Sequence, residues 1–100
     1  MKTKKYYQMN YDNETKTPVM DELTYDEFAQ MLHLGWSLVY DNVSIYITHT
    51  KQFGVDVYQL TTESQGLTDS KSYLSADELL SHGKVCGKTL WEIWDDISLM

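Results

Sequence analysis

Two short segments that fit each other in one register constrain this chain more than any other feature of its sequence. Apolar and polar residues alternate in WSLVY (36–40) and in VSIYITH (43–49), and Asp41-Asn42 separates them. A two-residue turn would place apolar or aromatic residues opposite one another along one face. The predicted pairs are Tyr40 with Val43, Leu38 with Ile45, and Trp36 with Ile47. A shift of one residue would turn this face outward, so the sequence predicts an antiparallel hairpin in this register.

A third strand is predicted at VDVYQLTT (55–62), but two registers fit it. A two-residue loop at Lys51-Gln52 would place Tyr58 and Leu60 on the core face together with Asp56. A shift of one residue would bring in the valines at 55 and 57 instead. Composition assigns residues 63–70 to a loop, and residues 71–74 are a candidate for a further short strand.

Three Ser/Thr-x-x-Glu signals mark the starts of helices, because such pairs cap a helix N-terminus reciprocally. The signals are Thr24 with Glu27, Ser75 with Glu78, and Thr89 with Glu92. They predict a helix at about 25–34 that Gly35 ends, and a short helix that stops near His82-Gly83. The third signal opens a helix whose core-facing stripe comprises Leu90, Ile93, Trp94 and Ile97.

These elements predict the α+β class. The expected architecture is a three-stranded antiparallel sheet in α-β-β-β-α-α order with its helices packed on one face. The charges divide the chain into a basic N-terminal arm (residues 1–20, net +2) and a single acidic domain (residues 21–100, net −9). Pro18 marks the end of the arm, which is a candidate for an extra strand.

The charge balance excludes several functions. Eight lysines, no arginine and fifteen acids give a net charge of −7, which disfavours direct nucleic-acid binding. Double-stranded-RNA-binding domains share the α-β-β-β-α order, but the scattered lysines of the acidic domain argue against that function. We expect no membrane span, because no run of 18 apolar residues occurs. The start of the chain also lacks the apolar segment of a signal peptide.

The sequence contains no motif for catalysis or for a cofactor, so we expect a protein that is not an enzyme and needs no cofactor. Metal binding is not expected either, because Gly83 separates His82 from Cys86 and the other histidines are distant in sequence. A single cysteine excludes an internal disulfide.

The acidic residues have two interpretations, a solvated face that aids solubility and a docking surface for a basic partner. Glu92, Asp95 and Asp96 crowd like charges at helical spacing near a helix C-terminus, where anions are disfavoured. Acids in the first turns of the other helices have a local explanation in the helix dipole, and they are assisting candidates. Trp91, one step off the apolar stripe, either belongs to a broad buried face or is an exposed apolar anchor, and the same alternatives hold for Tyr46 on the wetter sheet face. The assisting acids are Asp21, Glu22, Asp26, Glu27, Asp77 and Glu78.

The C-terminal segment ADELLSHGKVCGKTLWEIWDDI (76–97) resembles short uncharacterised proteins of low-GC Gram-positive bacteria, their phages and other mobile elements. The shared residues are Glu78-Leu79-Leu80, Gly87-Lys88 and Leu90 to Trp94, with a looser likeness at Thr24–Tyr40. The resemblance implies a small cytoplasmic α+β protein, and it carries over no functional residue. In size, charge and element order the chain is also similar to some phage anti-CRISPR proteins, which can present carboxylates where an RNA-guided nuclease expects DNA phosphates.

The expected function is therefore inhibition through protein binding. In its concrete form, the chain blocks the DNA-binding groove of an RNA-guided nuclease by mimicking DNA, and it acts as a monomer or weak dimer in the bacterial cytoplasm. The alternative is a regulatory or assembly protein of a mobile element that self-associates through aromatic surface.

Overall fold

The computed structural model describes residues 4–99, without the side chains of residues 6–12 and 17–21. The chain forms an α+β fold built on a five-stranded antiparallel sheet. Its strands are β3 (Trp36–Tyr40), β4 (Val43–Gln52), β5 (Val55–Ser64), β6 (Leu67–Tyr73) and β7 (Ser98–Leu99). The spatial order is β6-β5-β4-β3-β7, so four consecutive strands form a meander and the last strand returns beside β3.

The N-terminal part forms a separate two-stranded sheet. Its strands are β1 (Lys5–Asp12) and β2 (Thr17–Leu23), which pair antiparallel with an irregularity between Gln8 and Asn10. β2 ends at Leu23, which is fully buried in the core. The expected extra strand from the arm is thus a hairpin beside the main sheet, and the boundary drawn at residue 20 stays a prediction.

The predicted hairpin is confirmed residue for residue. Tyr40 pairs with Val43, Leu38 with Ile45, and Trp36 with Ile47. Asp41 and Asn42 both have positive φ, as a tight two-residue hairpin turn requires. The alternation of apolar residues was sufficient here because one face is buried and the other is not.

The third strand adopts the first of the two predicted faces, with Leu60 buried and Tyr58 against the core. Its turn lies at Phe53-Gly54 and not at Lys51-Gln52, so that detail was wrong. The later turn lengthens both strands past the core. Asp56 therefore stays exposed on this face, where it accepts a 3.0 Å hydrogen bond from His49 Nε2.

The expected sheet of three strands was wrong, because the predicted loop at 63–70 is mostly strand. β5 continues to Ser64, Gln65-Gly66 makes a turn with positive φ at both residues, and β6 begins at Leu67. β6 has no apolar alternation because all its side chains except that of Tyr73 are exposed. Its polar composition is therefore typical of a loop. Hydroxyl contacts, such as the one between Thr61 Oγ1 and Ser70 Oγ at 2.7 Å, join it to β5.

The helices are short, and their predicted starts are correct. They are α1 (Tyr25–Gln30), α2 (Ala76–His82) and α3 (Leu90–Ile93). The helix predicted at 25–34 ends early, because Met31 leaves helical geometry and a 3₁₀ turn follows at Leu32–Leu34. A second 3₁₀ turn at Trp94–Asp96 similarly shortens the last helix.

The core lies between the helices and one face of the main sheet. The predicted stripe of Leu90, Ile93, Trp94 and Ile97 is buried there, as expected. A Cβ atom at Gly83 would lie 2.9 Å from Leu60 Cδ2, so the end of α2 packs closely on β5. The other buried side chains are Leu23, Phe28, Leu32, Leu38, Ile45, Ile47, Leu60, Tyr73, Leu79 and Val85.

No helix in the described part of the chain has the length and apolar character needed to cross a membrane.

Candidate acidic binding surface

Glu92 has a local structural role. Its Oε1 atom accepts hydrogen bonds from the Thr89 backbone N–H at 3.0 Å and from Thr89 Oγ1 at 3.1 Å, and its own N–H donates to Thr89 Oγ1 at 3.4 Å. These bonds from Thr89 hold the pKa of Glu92 below its ordinary value, assisted by Lys84 and Lys88 and opposed by desolvation. The capping box therefore explains Glu92 without a partner.

Asp95 and Asp96 lie in the 3₁₀ turn that follows α3, and both are exposed. Lys5 of β1 lies close to this turn, with Nζ 5.3 Å from the centroid of the Trp94 ring. Burial lowers the pKa of Lys5, while the negative charges of Asp95 and Asp96 oppose that shift. One lysine of the chain thus balances part of the charge of this acidic pair.

The first turn of α1 lies beside α3. The Tyr25 ring contacts the Trp91 ring edge-on, with centroids 4.9 Å apart, and lies 5.5 Å from Trp94. Burial raises the pKa of Tyr25, and the neighbouring Asp26 raises it further. Trp91 keeps 47% of its surface exposed, so the contact leaves an aromatic surface open to solvent.

These contacts bring together part of the predicted site. We call the group formed by Tyr25, Asp26, Trp91, Asp95 and Asp96 the acidic–aromatic surface. It combines two elements that are more than 60 residues apart in sequence, with exposed carboxylates on both. Tyr25 and Lys5 were not among the predicted site residues, and neither carries a local pattern that could have identified it.

The remaining predicted residues lie elsewhere or act locally. Asp77 and Glu78 open α2, which packs on β5 and β6. Tyr46 lies on the face of the sheet opposite the helices, as its position in β4 predicted.

The acids next to α1 have partners within the chain. Glu22 forms a 3.1 Å ion pair with Lys4, and Glu27 accepts a hydrogen bond from Thr24 Oγ1 in the cap of α1. Asp21 lies outside the described side chains.

A concave region lies between the β5–β6 hairpin and the turn at residues 85–88. This open cleft has a volume of about 330 Å³ and contains a single carboxylate, Asp69, among its described lining residues. Acid–base catalysis by paired carboxylates needs two such groups facing each other. The cleft also includes the exposed thiol of Cys86. Among the described residues, no three His, Cys, Asp or Glu side chains are grouped so that they could hold a metal ion.

Comparison of the chain with family models, with curated proteins and with solved structures finds no match.

Proposed function

We propose that this chain is a non-enzymatic protein-binding module whose acidic–aromatic surface docks on a basic protein. The observation that supports this proposal is the contact between Tyr25 and Trp91, because it joins the exposed carboxylates of α1 to those after α3. Capping explains Glu92, so the proposed contacts depend on Asp26, Asp95 and Asp96. Tryptophan and tyrosine are among the residues that protein interfaces use at their most energetic positions, and charges at the rim contribute to recognition.

The physical basis is a division of roles between charge and packing. Exposed carboxylates attract a basic partner over a distance of about 10 Å at ordinary salt and accelerate its encounter. Burying the remaining surface of Trp91 would then supply most of the binding free energy. Lys5 reduces the attraction only in part, because one ammonium group faces two carboxylates there.

More specifically, we propose that the partner surface is the DNA-binding groove of an RNA-guided nuclease. The chain would then be a phage or mobile-element inhibitor that acts in the host cytoplasm. Support comes from the resemblance in size, charge and element order. DNA carries about one negative charge per 1.7 Å of helix axis, so a groove that binds it is basic and would attract a net charge of −7.

The test is a binding experiment with single charge reversals. A tagged chain is used to capture partners from a Gram-positive host lysate at low and at high salt, and a captured nuclease is then assayed for DNA cleavage. We expect Asp26→Lys, Asp95→Lys and Asp96→Lys each to weaken binding about tenfold, and Trp91→Ala to weaken it at least as much.

Glu63→Lys is the matched control, because it makes the same charge change on the opposite face of the sheet. Circular dichroism verifies that every variant folds. If the three reversals bind as well as the wild type, or if Glu63→Lys weakens binding equally, the acidic–aromatic surface is not the binding site.

A further inference from the structure

The outer edge of the main sheet is an open strand. β6 (Leu67–Tyr73) is hydrogen-bonded to β5 on one side, and no other described strand pairs with it. Six of its seven side chains are exposed, and it contains no proline or bulge that would prevent pairing. Its two charges, Asp69 and Lys71, disfavour any added strand that does not place an opposite charge against each of them. An edge of this length offers its unpaired backbone groups to another strand.

The geometry of the hairpin decides which backbone groups are offered. Gln65-Gly66 forms a two-residue turn, so Ser64 and Leu67 are the hydrogen-bonded pair that closes it. Hydrogen-bonded pairs alternate along an antiparallel ladder. The backbones of Leu67, Asp69, Lys71 and Tyr73 therefore bond to β5. The N–H and C=O groups of Thr68, Ser70 and Ser72 point outward from the sheet.

The sequence of β6, LTDSKSY, is complementary to itself when reversed. A second copy aligned antiparallel about Ser70 places Leu67 opposite Tyr73, Thr68 opposite Ser72, and Asp69 opposite Lys71. The outward backbone groups at positions 68, 70 and 72 then meet outward groups of the partner. Asp69 and Lys71 fall at the intervening positions, where the chains approach most closely and opposite charges facing each other stabilise the pair.

Neighbouring registers lack this match. A twofold axis at Asp69 would place that carboxylate opposite its own copy, and an axis at Lys71 would do the same with two ammonium groups. Within the sheet, the residues opposite Asp69 and Lys71 on β5 are Thr62 and Leu60. Neither charge thus has a countercharge directly across the ladder in the single chain.

We propose that two copies of this protein associate through β6, antiparallel about a twofold axis at Ser70, to form one continuous ten-stranded sheet. The partner is a second copy of the chain because the charge pattern complements itself in a single register. The contact involves one short strand per copy, so the dimer is weak and forms at high concentration. The acidic–aromatic surface lies toward the β3–β7 side of the sheet, since Tyr25 contacts Phe28 and Phe28 contacts Trp36 of β3, whereas β6 is the edge on the other side. The two proposals can therefore fail separately.

A charge swap tests the register. Sedimentation velocity over about 10 µM to 1 mM should show a concentration-dependent dimer of the full chain. Asp69→Lys and Lys71→Asp should each weaken the dimer about tenfold, because each variant places like charges opposite each other twice. The double variant Asp69→Lys/Lys71→Asp should restore wild-type association. If net charge alone controlled association, Asp69→Lys would strengthen the dimer, because it makes the net charge of −7 less negative.

Cysteine trapping tests the position of the twofold axis. In a Cys86→Ser background, Ser70→Cys should form a disulfide-linked dimer under mild oxidation, because the two copies of residue 70 face each other at a distance that a disulfide spans. Ser72→Cys is the matched control: its own copy lies four residues away along the strand, about 13 Å, so it should remain unlinked. Ser70→Pro, which removes an outward N–H from an edge strand, should fold and remain monomeric.

Three results would overturn the proposal. They are a wild-type chain that stays monomeric at 1 mM, a double charge swap that fails to restore the dimer while circular dichroism shows it folded, and equal cross-linking of the variants at 70 and 72.

Discussion

At the scale of single residues, two tryptophans three positions apart have different roles. Trp94 is fully buried and contacts the rings of Tyr25 and Phe28, whereas Trp91 is 47% exposed and contacts Tyr25 at its edge. The apolar stripe of the last helix predicted the burial of Trp94 but left open whether Trp91, one step off the stripe, is buried or exposed. Trp94 thus contributes to the core, while about half of the surface of Trp91 faces solvent.

The first prediction compares these two tryptophans. Trp94→Ala should lower the free energy of unfolding by about 3–5 kcal/mol, because it removes the largest buried side chain and leaves a cavity. Trp91→Ala should lower it by about 1 kcal/mol, since it loses one aromatic contact and little buried area. Urea unfolding at equilibrium measures both. Equal losses would mean that the two side chains are not differently buried in solution.

Phe53 shows that a turn can retain an unfavourable residue. It occupies the tip of the β4–β5 hairpin with φ +52°, and its side chain is fully exposed. Positive φ is sterically unfavourable for residues other than glycine, and it is less unfavourable for asparagine than for phenylalanine. The Phe53 ring is exposed to solvent, so packing against the described residues does not offset this strain.

The second prediction follows from that turn. Phe53→Asn should raise the free energy of unfolding by about 1 kcal/mol, because Asn-Gly is the preferred pair in such turns. Val55→Asn, two residues away in the strand, is the control and should lower stability, since asparagine disfavours strands. Thermal melts of the two variants provide the comparison. A destabilised Phe53→Asn protein would argue that the phenyl ring packs against something in solution.

At the scale of elements, the starts of helices were easier to predict than the lengths of helices and strands. All three predicted N-caps accept a hydrogen bond from the backbone of the residue three positions on. α2 ends at His82 as predicted, whereas α1 and α3 end early and continue as 3₁₀ turns that no local signal in the sequence marks. β6 was missed because an edge strand exposed on both faces has no apolar alternation.

The third prediction concerns the cap of α3. The folded-state pKa of Glu92 lies below its unfolded value of 4.5. The ionised carboxylate therefore stabilises the fold above pH 4.5, and this contribution is lost as the pH falls through the lower, folded-state pKa. Glu92→Gln should reduce stability at pH 7, and its difference from the wild type should shrink toward pH 3. Urea midpoints at several pH values measure this difference.

Glu63→Gln is the control for Glu92→Gln, because it removes one carboxyl group from a strand without altering a helix cap. A difference between wild type and Glu92→Gln that stays constant from pH 7 to pH 3 would contradict the role of the carboxylate in the cap.

At the scale of the whole molecule, contacts between neighbours in sequence were predictable and distant contacts were not. The register of Trp36–Tyr40 against Val43–Ile47 follows from one alternation pattern. The return of β7 beside β3 and the approach of Lys5 to Asp95 depend on how separate elements pack. For the same reason, sequence identified Asp26, Asp95 and Trp91 as candidates but could not show that Tyr25, next to Asp26, contacts Trp91.

The meander also has a consequence for the newly synthesised chain. β3 to β6 pair with one another in chain order, so this four-stranded part of the sheet can assemble as soon as residue 73 has left the ribosome, before β7, the other partner of β3, is synthesised. Part of the cover of its apolar face, from Leu79 to Ile97, is synthesised later, whereas Phe28 and Leu32 precede the sheet in the chain. During that interval the preformed sheet is only partly covered, and the apolar surface that stays open favours aggregation.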